Sequence, residues 1–215
     1  MSAVVAPVLS ADELKRSIVE FVRAASTEIS THDEGNLPAL FRELAPGTTV
    51  YIAHTPKASL DEVVRIALKV QAAGLRASPH IVARRIEGRE ALRRALSALR
   101  AGGVEQVLLV AGDLPSPAGS FTSTLDILDA GCLEESGIAH AGVAGHPEGN
   151  KAIEPAALWQ ALARKQAYAQ RSGVKLHIVT QFSFDPQAIC SWERSLAGHG
   201  VNLPVHVGIA GPTPL

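Results

Sequence analysis

A short apolar run that ends in a carboxylate is the feature that most constrains the fold of this chain. Residues 107–115 read VLLVAGDLP, so apolar residues lead into Ala-Gly-Asp and then Leu-Pro. A run of this kind, bounded by turn-forming residues, is typical of a strand that is buried on both faces of a parallel sheet. Asp113 would stand at the carboxyl end of that strand, where α/β folds bind ligands. The alternative role for Asp113 is to cap the following turn.

The same pattern recurs along the chain, with segments of helical period between the apolar runs. The sequence predicts strands at 25–30, 48–53, 76–82, 107–110, 139–144, 175–180 and 205–209. It predicts helices at 10–24, 37–45, 60–73, 89–101, 125–135, 155–171 and 190–199. Nearly every predicted strand has a polar residue at or just beyond its end, namely Glu28, His54, His80, Asp113, His146 and Gln181.

Repeated βα units of about 30 residues fit either a barrel or an open doubly wound sheet. An open sheet concentrates its site at one switch point, whereas a barrel uses the ends of many strands. Because polar residues recur at many strand ends and no GxGxxG follows the first strand, we predict an α/β fold of the (β/α)8 TIM-barrel type. Seven strands are visible, so the eighth βα unit is missing. We expect residues 1–25 to form a helical segment that packs on the barrel, and 26–215 to form the C-terminally incomplete barrel.

A barrel without its eighth unit has two open strand edges. A truncated chain, a partner subunit or second copy that covers the gap, or the N-terminal helix partly filling it would each account for these edges.

Composition excludes several classes of function. The 215 residues carry a formal net charge of −1, which favours neither nucleic acid nor a membrane surface as a partner. The chain lacks the apolar stretch of about 20 residues that spans a membrane. The apolar run near residue 1 is short, interrupted by proline and not preceded by basic residues, so we expect no signal peptide. Two cysteines, Cys132 and Cys190, without CxxC spacing suggest a reducing compartment. We therefore expect a cytoplasmic protein that acts on a small molecule.

The histidines show no metal-binding spacing within one element. His177 and His206 lie inside predicted strands, so we interpret them as packing groups, and we expect no metal.

Four segments resemble the signature segments of the methylenetetrahydrofolate reductase family. They are GDLP at 112–115, VAGHPEG at 143–149, TQFSFD at 180–185 and VGIAGP at 207–212, in the family's order and at similar spacing. The resemblance covers most of the chain, from residue 26 to 212. It implies a (β/α)8 barrel that carries FAD and passes a hydride from NADH or NADPH to 5,10-methylenetetrahydrofolate, giving 5-methyltetrahydrofolate, in one-carbon metabolism and methionine biosynthesis.

The resemblance implies three catalytic residues. Glu28 matches the family's glutamate at the end of the first strand, a general acid that helps to open the methylene bridge to an iminium ion. A carboxyl that does this near neutral pH needs burial among apolar groups, as opposed to facing solvent. Asp113 matches an aspartate near the flavin and the pterin. Gln181 matches a glutamine that positions substrate and nicotinamide, and Phe184 of the same segment falls on the substrate side.

The resemblance also implies cofactor contacts. His80, after Pro79, matches a flavin contact on the third strand, and Gly112 and Asp113 lie at the flavin as well. Arg164 and Lys165 match a basic pair that faces the FAD phosphates.

Several family positions differ in this chain. Ala111 replaces the arginine before Gly-Asp, and Leu158 and Ala161 replace an aspartate and an asparagine. Residues 54–57 read HTPK where the family has Thr-Tyr-Gly-Ala; His146 replaces a tyrosine, and Asn150 stands where a histidine is expected. Most of these positions contact FAD. Either FAD is held differently, with His146, Asn150 and Lys57 as substitute contacts, or hydride passes directly from the nicotinamide.

The sequence therefore predicts a methylenetetrahydrofolate reductase-like oxidoreductase. One alternative is a folate-binding, flavin-depleted subunit or paralogue that needs a partner for redox activity. Another is an unrelated barrel enzyme that acts on a different one-carbon or pterin substrate.

Overall fold

The computed structural model describes residues 9–211, and these fold around one sheet of parallel strands in which each strand pairs with its sequence neighbours. The sheet curls into an open half-barrel, an incomplete TIM-like barrel, which confirms the predicted fold class. The strands are β1 Thr27–Ser30, β2 Thr49–Ala53, β3 Arg76–Val82, β4 Gln106–Val110, β5 His140–Gly145, β6 Lys175–Thr180 and β7 Val205–His206.

Helices alternate with these strands, as expected for βα repetition. They are α1 Ala11–Arg23, α2 Leu37–Glu43, α3 Leu60–Ala72, α4 Arg89–Ala101, α5 Thr124–Asp129, α6 Cys132–Ser136, α7 Pro155–Ser172 and α8 Pro186–Leu196. Three 3-10 turns, Thr31–Asn36, Ala83–Arg85 and Ala197–His199, follow β1, β3 and α8.

The core lies between the sheet and the helices on its outer face. Val50 and Ile52 of β2 are fully buried, as is Leu109 of β4. The helices present matching apolar stripes, for example Ile66 of α3 and Leu96 of α4. Residues that alternate with these on each strand face the inside of the half-barrel.

Three predicted elements differ from the structure for local reasons. The helix expected at 125–135 is two helices, because Gly131 adopts a left-handed conformation with φ 71° between α5 and α6. α8 begins before the predicted position 190 because Pro186 stands in its first turn and the Asp185 side chain accepts a hydrogen bond from the Ala188 N–H. The strand expected at 205–209 pairs with β6 only at Val205 and His206.

Helix α1 does not pack on the barrel, contrary to our prediction. Every residue from 9 to 26 is exposed, including Phe21 and Val22 of the apolar stripe. The helix has a complete capping box, in which the Ser10 hydroxyl accepts from the Glu13 N–H and the Glu13 carboxylate accepts from the Ser10 N–H. Such local bonds stabilise a helix end without tertiary contacts. The first eight residues of the predicted N-terminal segment, and 212–215 of the predicted barrel, lie outside the described residues.

Within residues 9–211, the strands at the two ends of the sheet each pair on one side only, so the barrel is open between β7 and β1. In the same part of the chain, no helix is both long and apolar enough to cross a membrane.

Candidate active site

A cavity of about 2070 Å³ occupies the carboxyl-end face of the sheet and extends into the half-barrel. Its lining includes residues of every strand from β1 to β7. The space exceeds the range of about 300–1,000 Å³ that is common for single ligands. The cavity is therefore large enough for a substrate together with a dinucleotide.

Glu28 lies at the open edge and not in an apolar pocket as we predicted. Its side chain is 59% exposed, because within residues 9–211 β1 pairs with a strand on one side only. Its Oε2 lies 3.3 Å from Nε2 of His80, whose ring is mostly buried on β3. Glu28, the second residue of β1, and His80 of β3 thus bring a carboxylate and an imidazole together at the cavity wall.

The turn after β4 depends on Gly112. Its φ is +90°, and a Cβ added there would lie 2.5 Å from Cγ1 of Val82. The following Asp113 is exposed to the cavity mouth, where its Oδ1 lies 3.6 Å from Nη2 of Arg85. Only glycine combines this backbone conformation with the close approach to β3. The Asp113 carboxylate remains available to a ligand.

Arg85 is a site residue that our sequence reasoning missed. Its side chain is only 10% exposed and reaches across the cavity from the 3-10 turn after β3. Nη1 donates to the carbonyl oxygens of Thr55 and, at 3.3 Å, of His54. Nε is buried without a hydrogen-bond partner among the described residues. The available signal was the pair Arg84-Arg85 directly after the apolar strand 76–82.

Arg85 supplies a cation beside the turn after β4, since its Nη2 lies 3.6 Å from Oδ1 of Asp113. The backbone N–H of Arg84 donates to the Ala111 carbonyl at 3.0 Å, so the ends of β3 and β4 are held together. The Arg84 side chain donates to the Leu114 carbonyl at 2.8 Å and orders the loop after Asp113.

Lys165 points into the cavity from α7 and is 6% exposed. Burial lowers its pKa to about 8, and within residues 9–211 its ammonium pairs with no carboxylate. Burial lowers the pKa of His146 at the end of β5, and the Lys165 charge contributes to that shift. This corner of the cavity therefore holds an unneutralised cation, which favours an anionic ligand group.

Arg164 does not lie at the cavity, although we predicted that it acts with Lys165. Its side chain is 62% exposed, and Nη2 lies 3.3 Å from Oδ2 of Asp129 on the outer side of the molecule. Successive residues on a helix project about 100° apart. One member of the pair therefore faces the barrel while the other faces solvent.

The loop after β5 contributes His146 and Asn150 to the cavity wall. The Asn150 side-chain oxygen accepts a hydrogen bond from the Ala152 N–H at 2.9 Å, so it is engaged in a local turn. Lys57, considered as a substitute contact, is exposed and lies outside the cavity lining. Leu158 and Ala161 line the cavity and offer no polar side-chain group.

Gln181 and Phe184 stand at the mouth of the cavity. The Gln181 backbone N–H donates to the Gly145 carbonyl at 2.9 Å, which fixes the chain after β6. Within residues 9–211 the side-chain amide makes no hydrogen bond. Phe184 is exposed and packs edge-on against Phe182, with ring centroids 5.9 Å apart. The mouth thus offers two exposed aromatic rings and an amide to a planar ligand.

The interior of the half-barrel holds an uncharged polar cluster. The Tyr51 hydroxyl lies 3.3 Å from Nε2 of His177, and the His177 ring packs against that of His206 at a tilt of 35°, with centroids 4.4 Å apart. Burial raises the pKa of Tyr51 to about 12 and lowers the pKa of His177 to about 4. These residues pack as neutral groups near pH 7. In the part of the chain that the structure describes, no group of three or more potential ligand side chains is arranged to hold a metal.

The structure brings most of the predicted residues together and leaves one out. The cavity is lined by Glu28, His80, Gly112, Asp113, His146, Asn150, Lys165, Gln181 and Phe184, but not by Arg164. No protein-family model matches this chain.

Proposed function

We propose that this protein reduces 5,10-methylenetetrahydrofolate to 5-methyltetrahydrofolate with hydride from NADH or NADPH. The observation that carries the proposal is that Glu28 on β1, Asp113 in the turn after β4 and Gln181 directly after β6 line one cavity. These are the residues to which the sequence resemblance assigns the folate chemistry. The cavity lies at the carboxyl ends of the strands, and this is the face at which TIM-barrel enzymes carry their active sites.

Glu28 is the proposed general acid. Its proton goes to the amine nitrogen as the bond between that nitrogen and the methylene carbon breaks. The resulting iminium carbon accepts hydride and becomes the methyl group. A substrate seated at the open edge would cover the exposed Glu28 carboxyl and exclude water from it, which favours its protonated form.

Asp113 and Gln181 are the proposed ring-positioning residues. The Asp113 carboxylate accepts hydrogen bonds, and the Gln181 amide both donates and accepts them, which matches the mixed edge of a pterin. Phe184 offers a face on which the ring can stack.

The cavity lining suits the pyrophosphate of FAD but has lost other polar side chains that the family pattern uses to hold this cofactor. Lys165 is a buried cation without a partner within the described residues, which suits a pyrophosphate. Leu158 and Ala161 offer no hydrogen bonds where the family has an aspartate and an asparagine, and Arg164 faces away. FAD would relay hydride from the nicotinamide if it were bound, but this lining favours direct transfer from the nicotinamide. NADH and NADPH also carry the pyrophosphate that Lys165 would bind.

An absorption spectrum of the purified protein, with and without added FAD, distinguishes the two routes. Direct transfer predicts a colourless protein that does not retain added FAD. A flavin band near full occupancy would instead assign hydride relay to FAD.

Substitution Glu28→Gln tests the proposed acid. The variant should fold normally and lose about 10²–10⁴-fold of folate reduction, because the amide cannot give up a proton in the same way. Glu193→Gln, at an exposed position of α8, is the control and should keep full turnover. Wild-type turnover in Glu28→Gln would reject Glu28 as the acid.

A second candidate function is a folate-binding subunit that needs a partner for redox activity. It is favoured by the loss of polar flavin contacts at Leu158 and Ala161 and by the open edge between β7 and β1. Tetrahydrofolate binding without oxidation of NADH or NADPH would support this candidate over the reductase.

The proposed location is the cytoplasm. Cys132 and Cys190 are both free thiols, which suits a reducing compartment.

A further inference from the structure

His80 occupies a position that suits acid chemistry more than cofactor binding. Its ring lines the cavity, and Nε2 is buried without a well-directed hydrogen bond among the described residues. The nearest ionic group is the Glu28 carboxylate, at 3.3 Å from that nitrogen. An imidazole and a carboxylate at this distance can share a proton once a small movement aligns them.

The other neighbours of His80 do not offer it a comparable contact. Tyr51 on β2 presents its ring edge, with centroids 6.3 Å apart, and burial keeps that phenol neutral. His54, at the end of β2, is near enough that His80 contributes to its lowered pKa, and Arg85 contributes as well. Among these neighbours only Glu28 supplies a carboxylate, which makes it the favourable partner for the His80 ring at this position.

We propose that His80 is a positioning residue that holds Glu28 and resupplies its proton. This inference rests on the proposed reductase function, in which Glu28 gives a proton to the substrate nitrogen. As the carboxylate forms, the imidazolium N–H bond at Nε2 breaks and an O–H bond forms on Glu28. The neutral ring then takes up one proton from bulk solvent, which is the one proton that each reduction consumes.

Glu28 gives up its proton in every turnover, so it needs a group that returns one. Imidazole is the side chain whose ordinary pKa lies nearest to neutrality, and it can therefore restore that proton between turnovers.

The decisive variant is His80→Gln, because a glutamine amide can still donate a hydrogen bond to Glu28 but cannot deliver a proton. We expect folate binding to be retained, kcat to fall about 100-fold, and KM to change little. The wild-type kcat should decline as pH rises through the range in which imidazole deprotonates, and this decline should be absent from the variant's profile. His32→Gln, at an exposed histidine, is the matched control.

NMR of the histidine rings gives a readout that does not need turnover. The ring-nitrogen signals of His80 should shift in Glu28→Gln relative to the wild type at pH 7, because the Glu28 carboxylate lies 3.3 Å from Nε2. Unchanged His80 ring signals, or an unchanged kcat and pH profile in His80→Gln, would overturn the inference while leaving the reductase function intact. A wild-type protein with no turnover would overturn both.

Discussion

Lys165 is a basic residue in a buried environment. It is a lysine with 6% exposure and no carboxylate beside it within the described residues. Burial of a charged group without a partner is unfavourable. We therefore expect Lys165 to reduce the stability of the free protein and to be retained for binding an anion.

The substitution Lys165→Met should stabilise the free protein near pH 7. The pKa falls from 10.5 to about 8, which corresponds to an upper value of about 3 kcal/mol. Below pH 8 the folded chain carries the full penalty of the buried charge. Between pH 8 and 10.5 the unfolded chain binds more protons, so the wild-type free energy of unfolding rises and approaches that of the variant.

Urea unfolding of both proteins at pH 7 and at pH 10 measures this difference. Arg164→Met, at the exposed neighbour on the same helix, is the control and should change stability by less than about 0.5 kcal/mol. A Lys165→Met protein that is less stable than the wild type at pH 7 would show that the ammonium has a partner in the fold.

For single residues, the sequence predicted correctly most of the side chains that line the cavity. It predicted less well how exposed those side chains are and what they contact. Glu28 and Lys165 both line the cavity as expected, but the exposure of Glu28 depends on an edge strand that no local pattern reveals. Arg164 and Lys165 are adjacent in sequence, but they project from different faces of α7, so only Lys165 reaches the cavity. Arg85 was missed because the pair Arg84-Arg85 shows only that two arginines follow the strand. It does not show that one of their side chains contacts the loop after β2.

At the scale of elements, the same local device stabilises two helices that differ in their packing. Ser10 and Ser59 each form a complete capping box, at the start of α1 and of α3 respectively. α3 buries five residues against the sheet, whereas α1 buries none. The two caps should therefore contribute very differently to global stability.

We predict that Ser59→Ala lowers the free energy of unfolding by about 1 kcal/mol. Ser10→Ala should leave global unfolding unchanged and only increase the fraying of α1, since that helix is not coupled to the core. Urea unfolding measures the first effect, and hydrogen exchange of the α1 amides measures the second. Equal losses of global stability in both variants would show that α1 does pack on the barrel.

The turn that carries Asp113 gives another element-scale prediction. Gly112→Ala introduces both a strained φ and a Cβ that would lie 2.5 Å from Val82. Gly149→Ala introduces the strain alone, because φ is +77° there and no atom lies within 4 Å of the added Cβ. We expect Gly149→Ala to lower unfolding free energy by about 1 kcal/mol and Gly112→Ala by about 1–3 kcal/mol more.

Thermal or urea unfolding of the two glycine variants tests this ranking. Adding Val82→Ala to Gly112→Ala should recover the part of the loss that arises from the contact, but not the part that arises from φ. Equal losses in the two single variants would indicate that β3 moves aside and that the close approach is unimportant.

Element bounds were predictable wherever the pattern was long and ended at a turn residue. The predicted bounds of β3, α4 and β6 agree with the structure. The errors occur where tertiary or backbone conformation overrides the pattern. Examples are Gly131 and residues 207–209, which are apolar but lie beyond the part of β7 that pairs with β6.

At the scale of the whole molecule, counting βα units predicted an open barrel, and the seven parallel strands confirm it. Sequence periodicity counts strands, but whether a terminal helix covers an open edge depends on its position in space. The expected packing of α1 was wrong for that reason. The open edge also explains why Glu28, on β1, faces solvent in the free protein.

The cavity contains both a carboxylate–imidazole pair, Glu28 and His80, and a separate buried cation, Lys165. Glu28 and His80 stand at β1 and β3, while Lys165 reaches in from α7. This separation suits a folate ring at the acid and a pyrophosphate at the lysine. The functional assignment is thus a property of the assembled barrel and not of any one segment.

The most direct measurement is the conversion of 5,10-methylenetetrahydrofolate by the purified protein, with NADH or NADPH and with or without FAD, followed by mass spectrometry. We predict that 5-methyltetrahydrofolate forms with at least one of the two donors and that Glu28→Gln forms little of it. Recovery of the substrate unchanged, with neither donor oxidised, would contradict the reductase assignment.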